Sequence, residues 1–210
     1  MNELVTTLLY AALGFLSGSV LYCRFVPLLL LKKDICALSP DKNPGAANVF
    51  VHCGVPMGLL CLALDIAKGA LPVVLALRVI DPARLAFAAV MAAPVLGHAL
   101  GVLNGGHGGK CIAVIFGVLI ALLGITPLGF VLAGLYILLA GILRVRPNGK
   151  CSVLTFSLFA LCALGMGIVS GQYAVTLGAM TISAVSIVCH MKSAAALHAA
   201  EEAQTETQDA

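Results

Sequence analysis

With 210 residues, 61% of them hydrophobic and only 10% charged, and a mean hydropathy of +1.08, the chain is too apolar for a soluble domain. Its net charge of +3 is modest, and no nucleic-acid partner is read from it. The apolar runs are long and lack strand alternation, which leaves helices in a bilayer: an all-α integral membrane protein with about seven transmembrane helices.

Met1-Asn2-Glu3 offers neither a basic region ahead of the first apolar run nor a small-residue cleavage site. Residues 4–24 therefore read as a permanent first helix rather than a removable signal peptide. Residues 54–79, 85–103, 112–124, 128–143, 152–169 and 173–191 read as six more, the fourth and fifth helices being short for spans. Breakers fall between them at Asp81-Pro82, Thr126-Pro127, Arg146-Pro147-Asn148-Gly149 and Ser170-Gly171-Gln172. Residues 1–198 form one polytopic domain, and the polar, acidic stretch from Ala199 to the end reads as a disordered tail. The eight cysteines include no CxxC and lie mostly in or beside spans, so they read as small packing residues rather than a disulfide framework or a metal site.

Charge orients the helices. Lys32, Lys33, Lys42, Lys110, Arg144, Arg146, Lys150 and Lys192 fall on one side, and only Arg78 and Arg84 on the other. The positive-inside rule places the first group in the cytoplasm, with the amino terminus outside and the carboxyl terminus inside. Cys36, Cys111 and Cys151 are then expected to be reachable from the cytoplasm, and Pro82 and Gly171 to lie in outside turns. The polar motifs converge on the cytoplasmic face.

Four segments carry the polar chemistry. In "DKNPGAAN" (41–48), Asn-Pro-Gly is a turn signal, Gly45 and the alanines let backbone amides approach a ligand, and Lys42, Asn43 and Asn48 supply side-chain donors. In "LDIAKG" (64–69), Asp65 and Lys68 stand three apart on one helix face, and at membrane depth such charges read first as an internal ion pair. His98 follows Gly97 at the cytoplasmic end of the third helix. In "GGHGGK" (105–110), Gly108 and Gly109 can form a nest of amide donors beside Lys110, just before the next helix start, an arrangement suited to phosphate. It is not a P-loop, since position 104 is Asn and position 111 is Cys.

In this order the segments resemble the bacterial acylphosphate:glycerol-3-phosphate acyltransferase family of inner-membrane proteins. "NPGAAN" stands near the family pattern GN-x-GATN, "LDIAKGALPV" (64–73) near LD-x-x-KG-x-x-PV, and "GH" with "GGK" at 97–98 and 108–110 keeps the family spacing. "CSVLTFS" (151–157) is similar to a serine-bearing stretch of the family and adds Ser152. The chain also departs from the pattern. Asp41-Lys42 replaces Ser-Gly, Ala47 replaces Thr, Val51 an Arg, Gly101 a Pro and Cys111 a Gly, and "HMKSAA" (190–195) replaces a more basic element. Asp41 adds a negative charge that opposes a phosphate.

The resemblance implies acyl transfer from a long-chain acyl phosphate to glycerol 3-phosphate, giving 1-acylglycerol 3-phosphate and phosphate in phospholipid synthesis. It implies no cofactor and no metal, membrane lipids as surroundings, and the bacterial inner membrane as location. His98 and Lys110 are the expected catalytic residues. Lys42, Asn43, Gly45, Asn48, Gly108, Gly109 and Ser152 would bind substrate, with Asp65 and Lys68 in support. Two other readings stay open: a degenerate relative that binds a lipid phosphate or a partner without turnover, and a small transporter lined by Asp65 and Lys68, against which stands the lack of paired broken helices in matching halves.

Overall fold

A computed structural model describes the backbone of residues 2–208 and the side chains of residues 2–199. It is all-helical, with no strand among the described residues. Four helices are long and apolar enough to cross a membrane: α5 (Val55–Ala76), α6 with its 3₁₀ extension (Phe87–Asn104), α9 (Asn148–Ser170) and the span Tyr173–Ala199 of α10. The pair α1 (Glu3–Ser19) and α2 (Tyr22–Leu31), bent by 43°, is long and apolar enough to make a fifth when taken as one span. Helix α7 (Ile112–Ala121) and the segment Leu128–Ile142, in which α8 (Leu128–Tyr136) runs into a π-helical turn (Ile137–Ile142), are apolar but shorter. The seven segments read from hydropathy thus recur as a multi-pass membrane bundle, two of them shorter than a span of roughly 20 residues. Helix α10 continues to Gln208, through most of the stretch from Ala199 read as a disordered tail; positions 209–210 lie outside the described residues.

The turn signals act where the residues dictate. The Asp81 side chain accepts from the Ala83 amide at 2.9 Å, Pro127 caps α8, and Gly171 closes α9 with φ +70°. One boundary differs from the sequence reading. Residues 4–24 are not a single helix, because the backbone turns extended at Val20 and restarts at Tyr22. The Arg24 amide donates to Leu21 instead of Val20, so the Val20 carbonyl is released from the helical ladder, and Lys68 of α5 takes it at 2.6 Å. The short helices α3 (Ile35–Leu38) and α4 (Ala46–Cys53) follow, tied to α2 by the Arg24–Asp34 ion pair at 3.1 Å.

Small residues set the helix crossings, as expected where lipid supplies no hydrophobic drive between helices. Gly18 of α1 lies against the Pro94 carbonyl of α6, and Gly97 of α6 against the Phe15 carbonyl of α1. No Cβ fits at either position. The same reciprocity joins α5 and α7 through Gly69 and Gly117. The main core gathers Met91, Val95, Val114, Val118, Phe156 and Ile182 from α6, α7, α9 and α10. Leu8, Leu16, Phe130, Leu161 and Ile168 stand exposed on the outer surface, as lipid-facing residues should.

Candidate functional site

Three sequence segments meet at one end of the bundle. The deepest layer is ionic and buried. Lys68 Nζ lies 2.8 Å from Asp65 Oδ1, donates to the Val20 carbonyl at 2.6 Å and stands 2.9 Å from His98 Nδ1. The Asp65 contact is a charge pair without hydrogen-bond geometry, whereas Val20 and His98 take hydrogen bonds, and an ammonium has protons to donate but no lone pair to accept with. His98 Nδ1 is then an acceptor, which puts the ring proton on Nε2. The second Asp65 oxygen accepts from the Cys23 thiol at 3.1 Å. Both charged side chains are 2% exposed or less, so the pair is a packed element of the bundle and not part of an open path.

Above it lies the glycine loop. The Gly109 amide donates to the His98 carbonyl at 3.1 Å, and the place where a Gly109 side chain would sit is taken by His98 Nε2. Gly108 lies as closely on the Ala99 carbonyl. Only glycine lets the segment 108–110 rest on the end of α6. Helix α7 starts two residues beyond Lys110, so its amino-terminal dipole points toward the loop.

The outer layer is a cavity of about 730 Å³. Lys42, Asn43, Gly108, Gly109 and Lys110 line one part of it, together with Asp41. Leu96, Leu100, Val185, Val188 and Leu197, from α6 and α10, supply an apolar wall. Lys110 Nζ is 2.7 Å from Asp41 Oδ2, an ion pair across 69 positions that gives this lysine a carboxylate partner its sequence neighbourhood does not show. The other Asp41 oxygen accepts from Asn48 Nδ2 at 2.9 Å and from the Asn43 amide at 3.3 Å. Burial pushes the Asp41 carboxyl up, but Lys110, Asn48 and the Asn43 amide outweigh it and hold it below the ordinary aspartate value.

The expected site residues thus divide. Lys42, Asn43, Gly108, Gly109 and Lys110 face the cavity. Asn48 braces the 41–48 loop, bonding Asp41 and the Asn43 carbonyl, and Gly45 caps α4 while donating its amide to that same carbonyl at 2.9 Å. His98 is 3% exposed and sits behind Gly109 rather than in the cavity wall. Ser152 is buried in α9, away from the lining residues, because the face of α9 that carries it packs into the bundle. Cys111 and Cys151 are also buried, so their thiols are not open to the aqueous side. Lys192 and Ser193 of α10 line the cavity and were missed as site residues. The available signal was the first lysine after the last apolar run, read only for its bearing on topology. Among the described residues no three of His, Cys, Asp and Glu gather as a metal site.

A family model described as "Glycerol-3-phosphate acyltransferase" matches residues 8–200. The chain belongs to the glycerol-3-phosphate acyltransferase family. A glycerol-3-phosphate acyltransferase of Anaeromyxobacter dehalogenans (strain 2CP-1) is 33% identical over 206 residues, 95% of this chain and 97% of that protein. Two crystal structures of PlsY (YgiH), an integral membrane glycerol 3-phosphate acyltransferase, superpose with TM-scores of 0.76 (glycerol 3-phosphate form) and 0.74 (lysophosphatidic acid form). Each is 24% identical and covers 92% of both chains, which establishes the shared fold. In this member of the glycerol-3-phosphate acyltransferase family the three sequence blocks are coupled side chain to side chain. The second block reaches the third through Lys68 and His98, and the third reaches the first through Lys110 and Asp41.

Proposed function

We propose that the chain transfers a fatty acyl group from an acyl phosphate to glycerol 3-phosphate, giving 1-acylglycerol 3-phosphate and inorganic phosphate. The observation that carries the reading is the two-sided cavity: lysines beside the glycine loop at one part, and an apolar wall from α6 and α10 at another. The first suits the phosphate of either substrate, and the second suits an acyl chain. In the reaction the acceptor hydroxyl oxygen forms a bond to the acyl carbonyl carbon and the bond from that carbon to the phosphate oxygen breaks. The hydroxyl proton passes to the released phosphate or to water. A mixed anhydride is already activated, so the protein's task is to align the hydroxyl and offset charge, which Lys110 and Lys42 are placed to do, since the Gly109 amide is engaged by the His98 carbonyl. His98 acts from behind the loop by fixing Gly109. No acyl-enzyme serine is needed, and no Gly-x-Ser-x-Gly elbow is present.

Lysines 42, 110 and 192 line one cavity, and the positive-inside rule puts that end in the cytoplasm. Purified protein supplied with acyl phosphate and labelled glycerol 3-phosphate is expected to release labelled lysophosphatidic acid, and acyl-CoA is expected not to replace the donor. His98 is followed at the fifth position by Leu103, so a histidine–four-residue–aspartate element is lacking there. Binding of both substrates without product would favour the degenerate relative, a reading that the carboxylate on Lys110 gives substance to.

A further inference from the structure

Asp41 stands where the phosphate reading would put an anion. Its carboxylate contacts Lys110 Nζ at 2.7 Å through one oxygen, and Asn48 and the Asn43 amide hold the other. The pair is about one-fifth exposed, on the wall of the cavity that Gly108 and Gly109 also line. We propose that Asp41 is a built-in occupant of the anion position at Lys110, which a phosphate dianion must displace to bind, making Asp41 a determinant of how weakly this chain holds phosphate and phosphate monoesters. The proposal rests on the reading that a phosphorylated substrate enters this cavity.

The geometry makes displacement feasible. Asp41 lies in the connection between α3 and α4, and no residue from 39 to 45 is helical. Lys42 and Lys192 line the same cavity and pair with no carboxylate among the described residues, so an arriving dianion meets two further positive charges while Lys110 is still engaged. A dianion then exchanges with a monoanion on Lys110, and the exchange sets a ceiling on affinity. For an enzyme that releases inorganic phosphate in every cycle, the result is faster product release and less product inhibition, at the expense of acceptor affinity.

Asp41→Asn tests this, because the amide keeps the shape and one acceptor oxygen for the Asn43 amide and Asn48 while removing the charge. Binding of inorganic phosphate and of glycerol 3-phosphate to purified wild type and Asp41→Asn is measured by calorimetry without acyl donor. Binding of both is expected to tighten about tenfold in the variant, as for loss of one competing charge-assisted contact. Lys110→Ala in the Asp41→Asn background should then cost more affinity than in wild type. Unchanged or weakened binding in Asp41→Asn, or no detectable phosphate binding by either protein, overturns the proposal. Tightening for inorganic phosphate alone supports an anion position read by the leaving group, and tightening for both supports one shared by the acceptor. Absence of acyl transfer by a wild type whose phosphate binding responds as expected would defeat the acyltransferase reading and leave the displaced carboxylate standing.

Discussion

Lys68 and His98 meet at 2.9 Å between α5 and α6, with the lysine also donating to the Val20 carbonyl and paired in charge with Asp65. One ammonium therefore joins three helical segments and sets the ring on which Gly109 rests. Removing it affects both the bundle and the loop.

Lys68→Met should destabilise the protein by about 3–5 kcal/mol, since Asp65 would remain buried and uncompensated. Thermal unfolding in detergent measures this. Asp65→Leu combined with Lys68→Met should recover a large part of the loss, because no lone charge then remains inside. A single variant melting like wild type would remove the ion pair from the account of the fold.

At Gly109 the added methyl of Gly109→Ala meets the His98 ring. Overpacking of this kind costs about 1–3 kcal/mol, most of it expressed as movement of the loop. Acyl transfer is expected to fall by about tenfold or more with only a modest change in melting temperature, as 1.4 kcal/mol corresponds to a factor of ten. Adding His98→Ala should ease the clash but not restore the rate, because the loop then loses its support.

Lys110→Ala is expected to lower turnover at limiting glycerol 3-phosphate by about ten- to a hundredfold, the worth of a charge-assisted contact of ~1.5–3 kcal/mol. The partner left behind adds to the effect, since Asp41 then faces the cavity with an unbalanced charge. Folding should be largely retained, because the pair is partly open to solvent. Lys110→Arg should restore activity only in part, its planar fork fitting the glycine nest less well than a compact ammonium. Wild-type kinetics for Lys110→Ala at limiting acceptor would end the phosphate-cradle account of residues 105–110.

Acid should act on the same pair. The folded-state value of Asp41 is depressed, so its contribution to stability is complete above the unfolded aspartate value of about 3.9 and disappears as pH falls through the lower folded value. A melting-temperature profile through the acid range should show a component missing from Asp41→Asn. Superimposable profiles would mean that the Lys110 contact does not stabilise the carboxylate.

Topology is open to chemical labelling. Gly171→Cys should react with an impermeant thiol reagent on intact cells, and Lys150→Cys only after the membrane is opened. The native thiols of Cys111 and Cys151 serve poorly for this, being buried. The opposite pattern would invert the orientation.

Local signals in the sequence carry the long helices and their turns, because hydropathy and residues such as Pro127 and Gly171 act on their immediate neighbours. The site residues contributed by "NPGAAN" and "GGHGGK" are legible for the same reason. Two kinds of feature are not. The break at Val20 has no proline beside it and depends on a lysine 48 positions away. The Lys110 partner lies 69 positions away, and nothing within the loop points to it. Ser152 and Lys192 show the limit from the other side: a serine placed by likeness is buried in α9, while a lysine taken only as a topology marker lines the cavity.

The bend between α1 and α2 also bears on how the chain is made. Residues 3–31 leave the ribosome well before position 68 has been added, and during that interval the Val20 carbonyl has no Lys68 to receive. In hydrocarbon an orphaned carbonyl costs several kcal/mol, so in the newly inserted segment the Val20 carbonyl is best satisfied by a ladder that continues past it. The break at Val20 is then expected only after α5 has entered and its ammonium can donate to that carbonyl. A fragment ending before residue 54 should accordingly carry its helical ladder through Val20, with Pro27 as the irregularity that remains, and the completed chain should break the ladder there.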